Sequence, residues 1–273
     1  MQQRQKSLRT GTIFGNSHLT VQQLVSIFYH FVHRLSETQC AQYVCISSKS
    51  PKTLVKWYKI CREVCNTWFW DPENTPKLGG FGTIVEMDET YLPGQPKYHR
   101  GRRLGTTWKS EDKWALGLTQ RGSLDAIVKQ VPANRARNDL VPIIETHTRS
   151  GTIYCSDSWK GYINLSEYVD LEDTSHFAVN HSKNYVDPDT GAHTETIEGM
   201  WKHMKEFLPN GMLPKDADTY IGMFIWHRYC KQRKLDVFIH FLKSCAAIHK
   251  PTQFTLPSAT MTTCSKAQGA VAH

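Results

Sequence analysis

The chain has 273 residues, with 33 Lys and Arg against 25 Asp and Glu (net charge +8), and is 40% hydrophobic and 11% aromatic. That apolar and aromatic content excludes an intrinsically disordered chain, and the length suits one large domain or two. No stretch is apolar for long enough to cross a bilayer, and the opening MQQRQKSLRTGT lacks the apolar centre of a signal peptide, so the expectation is an intracellular protein with reduced cysteines.

The positive balance favours a polyanionic partner. Residues 1–17 are polar and read as a flexible basic N-terminus. A helix is expected from Thr20, with Thr20 as its cap and Leu24, Phe28, Phe31 and Leu35 on one apolar face. A short helix over ETQCAQYVC follows. SPKTLVKWYKICREVCNTWF predicts a third, with Ser50 as cap, Pro51 in the first helical position and an inner stripe of Leu54, Trp57, Cys61 and Val64. Lys52, Lys56 and Lys59, with Arg62, lie off that stripe. Through Arg62 the chain holds nine Lys or Arg and one acid, Glu37. Three helices ending in a basic one fit a helix-turn-helix over 18–70, a small all-α DNA-binding domain. Cys40, Cys45, Cys61 and Cys65 match zinc spacings poorly and read as buried thiols.

DPENTPKLGGFG, 71–82, reads as a Pro- and Gly-rich linker. Beyond it the pattern becomes mixed. TIVEMDETYL, KWALGLTQRG and LDAIVKQVP read as strands, the last two joined by a turn at Arg121-Gly122-Ser123. A helix is expected from Asn138, with Gly151 near its stop, then a strand over TIYCSD, a short helix over WKGYINLSEY and a strand over SHFAVNH. HTETIEGMWKHMK predicts a helix whose stripe is Ile197, Trp201, Met204 and Leu208. Helices follow over 214–232 and 235–248, then a Thr-, Ser- and Ala-rich tail, 251–273, read as disordered. The order βββ-α-β-α-β-α is an α/β pattern.

Three carboxylates carry the chemistry. Asp88 and Asp157 follow hydrophobic strands at the ends where α/β sheets place ligands. Glu198 sits beside Ile197, at the margin of a buried helix face. Two Asp and one Glu on rigid elements supply the oxygen ligands that Mg²⁺ prefers, and two such ions can cut a phosphodiester. A turn or capping role is the ordinary use of each Asp alone. Glu86 lies deeper on the side of Asp88, Glu89 points to the opposite side, and Glu195 shares the face of Glu198.

MDETYLPG, IYCSDSWKGY, FAVNHSKNYVDPDTGAHTETIEGMWKHMK and the upstream SPKTLVKWYKICREVC together resemble Merlin-type DDE transposases, eukaryotic relatives of bacterial insertion-sequence transposases. The likeness runs from about Arg9 to about Lys234. It implies an RNase H-like core over 83–234, a mixed five-stranded sheet with flanking helices, followed by a C-terminal helix over 235–250. It implies Asp88, Asp157 and Glu198 as catalytic and metal-binding residues, with Mg²⁺ as cofactor and Mn²⁺ able to substitute. Transposon ends and target duplex DNA would be the partners, the protein a homo-oligomer on DNA, and the nucleus its location. Glu195 stands where similar sequences usually have Asn. Relatives usually carry an N-terminal zinc ribbon before the helix-turn-helix; this sequence opens where such a ribbon would end. That leaves a truncated or host-retained, catalytically silent DNA-binding protein as the alternative.

Two further segments suit DNA. GQPKYHRGRRLGTTWK carries Lys97, Arg100, Arg102, Arg103 and Lys109 with Tyr98 and Trp108 interleaved, a mixture suited to phosphates and unstacked bases. VNHSKNYVDPDTGAH is placed to form a flap, with His181 or His193 near the acids. Trp159 and Trp201 are expected to pack the core or line the cleft.

Overall fold

The computed structural model describes residues 9, 11–15, 17–44, 51–92, 114–157, 160–179, 193–209, 212 and 214–249. The basic loop with Lys97, Arg100, Arg102, Arg103 and Lys109, most of the expected flap with His181, Trp159, Ser50, Cys45 and the tail lie outside the described residues.

The first three helices are α1 (Val21–Val32), α2 (Glu37–Val44) and α3 (Pro51–Phe69). Thr20 starts α1 with a reciprocal capping box: its hydroxyl accepts from the Gln23 amide while the Gln23 side chain accepts from the Thr20 amide. The α3 stripe expected from spacing, Leu54, Trp57, Cys61 and Val64, is buried throughout. Cys40 and Cys65 are buried beside it.

A central sheet follows from β2 (Ile84–Tyr91), β3 (Trp114–Gln120), β4 (Ala126–Val131), β6 (Ile153–Asp157) and β7 (Ser175–Val179). Its strand order is β4-β3-β2-β6-β7. The β2–β3 and β3–β4 pairs are antiparallel, whereas β2–β6 and β6–β7 are parallel. Hairpins make the first half; crossovers through helices make the second, as parallel neighbours require. This is the RNase H-like arrangement, a mixed five-stranded α/β sheet. Flanking it are α4 (Arg137–His147), α5 (Leu165–Tyr168), α6 (Glu195–Phe207), α7 (Ala217–Gln232) and α8 (Val237–Ile248). The expected helix over WKGYINLSEY divides into a 3-10 turn, Lys160–Tyr162, and α5, broken by Asn164 in the left-handed region (φ 55).

One small sheet has no counterpart in the sequence pattern. Leu78–Gly79 forms β1 and pairs in parallel with β5 (Thr148–Arg149). Gly79 has φ +76, and a Cβ there would fall 2.0 Å from Thr152 Oγ1, so only glycine fits this approach. Part of the segment read as a linker is therefore pinned to the body of the protein.

The helices of the N-terminal segment share the core of the rest. Leu24, Phe28 and Phe31 of α1, Leu54 and Cys61 of α3, Trp226 of α7 and Phe241 of α8 form one apolar cluster with Val85, Met87 and Leu116 of the sheet. Phe28 meets Phe241 edge-on at 5.4 Å, and Trp68 meets Tyr229 at 5.1 Å.

Candidate active site

Strand β2 is the frame of the site. Its pleat sends alternate side chains to opposite faces. Glu86 and Asp88 face α6; Glu89 faces the other way, where Tyr162 donates its hydroxyl hydrogen and Arg135 stands 3.5 Å away. That division is the one expected from alternation.

Asp88 and Asp157 come together through register. Met87 pairs with Ser156 in the parallel β2–β6 ladder, and each acid is the next residue of its strand. Neighbouring strands lie about 4.8 Å apart, so two carboxylates meet at the same end of the sheet. Burial first, then the charge of Asp157 and, more weakly, that of Glu198, push the Asp88 carboxyl up to about 6. A hydrogen bond from Trp201 Nε1 to Asp88 Oδ2, 3.0 Å, pulls the other way.

Glu198 reaches this place on α6. Ile197, Met200, Trp201 and Met204 are the buried residues of that helix, and Glu198 is exposed at the border of the stripe. Thr194 donates its hydroxyl to Glu198 Oε1 at 3.3 Å. Glu195, on the same side, is exposed and does not line the cleft. Asp88, Thr90, Glu198, Trp201, Lys202, Lys205 and Glu206 line a cleft of about 600 Å³.

Two residues that spacing alone does not mark hold α6 in place. Glu86, fully buried, accepts from Arg121 Nε (2.6 Å), Thr196 Oγ1 (2.9 Å) and the Ile197 amide (3.0 Å). Thr194, the residue before the helix, makes no capping bond, so Glu86 serves as the cap from another strand. Arg121 also donates to the His193 carbonyl at 2.8 Å, and the His193 imidazole stands 3.5 Å from Glu86. The second is Gly117. It pairs with Asp88 across the β2–β3 ladder, and a Cβ there would sit 2.4 Å from the Trp201 ring. Only a bare backbone leaves room for the indole to reach Asp88. The sequence signals were Gly in the middle of an apolar strand and Glu on the core side of one.

The donor chemistry suits a hard divalent cation: three carboxylates, one of them held up by burial and by its like-charged neighbours, whose repulsion a cation would relieve. As they stand, no three His, Cys, Asp or Glu side chains among the described residues converge tightly enough to hold one ion. Asp88 and Asp157 form the fixed pair; Glu198 is the exposed, longer arm.

This geometry coincides with a family match. The model of the ISXO2-like transposase domain matches residues 77–228, more than half of the chain, and spans all three acids. The chain belongs to the ISXO2-like transposase domain family. It is thus a DDE-type transposase by family. Among solved structures it is similar to the Mos1 strand transfer complex, with a TM-score of 0.30 and 11% identity over 84% of this chain and 79% of that one. A pre-cleavage Mos1 transpososome also matches, with a TM-score of 0.18 and 9% identity over 83% and 79%. A comparison with curated proteins finds no match.

In this transposase-family chain the lysines of α3 lie away from the cleft. Lys52, Lys56 and Lys59 are exposed, and Lys59 stands 3.9 Å from Glu63. Arg62 departs from the expectation. It is 7% exposed, with its guanidinium 4.1 Å over the Tyr220 ring, because α7 packs along the second half of α3 and covers it. It is an interior cation, not a contact offered to DNA.

Proposed function

We propose that this protein is a metal-dependent DNA transposase of the Merlin type, cutting and joining phosphodiesters at transposon ends. The observation that carries the reading is that Asp88 and Asp157 each follow the paired Met87 and Ser156 at one end of the β2–β6 ladder, while Asp88 and Glu198 line one cleft. Asp88, Asp157 and Glu198 would hold Mg²⁺ or Mn²⁺, which supplies an activated water and polarises the phosphoryl oxygen.

The chain's own groups prepare that site. Trp201 fixes the orientation of Asp88 through its N–H. Lys202 and Lys205 stand on the cleft wall with Asp88 and Glu198, where they attract a phosphate backbone. The α3 lysines, on a helix-turn-helix, would hold duplex DNA farther from the chemistry, and the reaction would run in the nucleus on a homo-oligomer.

The test is metal-dependent nicking of supercoiled plasmid by the wild-type protein, Asp157→Asn and Glu198→Gln. Only the wild type is expected to nick, and Mn²⁺ is expected to raise its melting temperature but not that of Asp157→Asn. Nicking by all three would sink the assignment of these acids. Binding of plasmid without nicking by any would favour the silent DNA-binding protein.

A further inference from the structure

A second cleft adjoins the first. It lies between the end of α1, the outer side of α6, α7 and the start of α8, and its walls carry Arg34, His203, Arg228 and Lys231 against the single acid Glu206. Glu206 lines both clefts, so the two meet across the exposed ridge of α6.

Some cations of the protein are neutralised and others are not. Arg121, Arg135 and Arg233 each face a carboxylate: Glu86, Glu89 and Asp125. Among the described residues, Arg34, Lys202, Lys205 and Lys231 have no carboxylate within ion-pair reach. Arg34 instead donates to the Phe207 carbonyl at 3.1 Å and stacks on the Phe207 ring at 3.8 Å, which leaves most of its fork of donors unused. Its backbone is held at φ 60, in the left-handed region, directly after α1. Lysines near the end of α6 also complement its dipole, but that accounts for neither Arg34 nor Lys231, which come from other elements. Beside them, burial first and then the charges of Arg34 and His33 hold His227 down to about 4.

We propose that this second cleft is a seat for the phosphate backbone of duplex DNA, continuing across α6 from the strand held beside Asp88 and Glu198. The proposal rests on the transposase reading for its partner, and it adds a binding surface distinct from the α3 lysines. Arginine stacked on an aromatic ring with free donors, an exposed lysine, and a neutral apolar floor of Phe207 and Phe224 suit a sugar–phosphate chain better than an acidic protein patch.

The experiment uses the full chain and a short duplex of arbitrary sequence. Affinity is measured against salt for the wild type, Lys231→Gln, Arg34→Asn, which suits the left-handed backbone, and a Lys52→Gln/Lys56→Gln pair as reference. The log–log slope is expected to become shallower by about 0.9 for each phosphate that Lys231 or Arg34 neutralises in the wild type. In parallel, Lys231 of the wild-type protein is expected to be shielded from amine acetylation once the duplex saturates it. A Lys231 that stays reactive in the saturated complex, or slopes that move only for the α3 pair, overturns the proposal. Lys231 is exposed, so its replacement leaves the fold intact if Arg34→Asn does not. Failure of the transposase reading would show separately, as an absence of metal-dependent nicking by a protein whose salt slopes still respond.

Discussion

Glu86 shows how a residue remote from the reacting atoms can set the geometry of a site. A carboxylate with no solvent contact is tolerated because four polar neighbours surround it, and two of those belong to the first turn of α6. Two residues along the same face of β2, Asp88 accepts from Trp201, one turn further down that helix. Two carboxylates of one strand thus dock the helix that carries Glu198. Replacing Glu86 by Gln removes the charge that Arg121 faces while nearly keeping the volume. We expect a loss on the order of 3 kcal/mol, as for one partner removed from a buried pair. Hydrogen exchange should become faster at the Ile197 amide than at amides of α3 in the folded variant. If exchange at Ile197 is unchanged, Glu86 does not cap α6.

Gly117 belongs to the scale of elements, because it decides how closely α6 can lie on β2 and β3. Gly117→Ala would place a methyl carbon 2.4 Å from the Trp201 ring, well inside van der Waals contact. The strand cannot yield, as Leu116 and Leu118 beside it are fully buried. The helix must therefore lift, and overpacking of this kind costs about 1–3 kcal/mol. Urea unfolding should register that loss, and a probe of Trp201 fluorescence should show the indole displaced; an unshifted spectrum with full stability would contradict the close approach. Elements of this kind were legible where local rules act alone. The capping box at Thr20, the alternation in β2 and the stripe of α6 are written in neighbouring residues, and the family likeness singled out the three acids among several candidates. What stayed hidden depends on partners distant in the chain. The β1–β5 pair is only two residues long on each side, Arg62 is covered by a helix more than 150 residues later, and the approach of Trp201 to Gly117 exists only once α6 is docked.

At the scale of the whole molecule, α7 and α8 join the N-terminal helices to the sheet through one core, and two half-buried histidines beside it, His147 and His227, resist protonation. His147 is held down to about 4 by burial, then by Lys129 and Lys77; His227 is held there by burial, then by Arg34 and His33. An unfolded histidine titrates near 6.5. Between about 6.5 and 4 the unfolded chain therefore binds protons that the folded chain refuses, so the contribution of each histidine is full above 6.5 and is lost as the pH falls through that window. That loss is on the order of 1–3 kcal/mol for each at pH 4. Asp88, held up to about 6, and Glu89, held up to about 7, act in the opposite sense. Their folded forms take up protons more readily than the unfolded chain as the pH falls from about 7 towards 4, which offsets much of the histidine effect. In metal-free buffer the wild type should therefore lose stability only gradually over this range. His227→Phe removes a half-buried ring whose buried Nε2 has no hydrogen-bond partner while retaining aromatic contact with Phe207. It deletes one of the two losses and leaves the carboxyl gains in place. The variant should match the wild type at pH 8 and become progressively the more stable of the two as the pH falls from 6.5 to 4. Melting temperatures of the two proteins across this range decide the matter: parallel curves would mean that His227 is charged or solvated in the folded state.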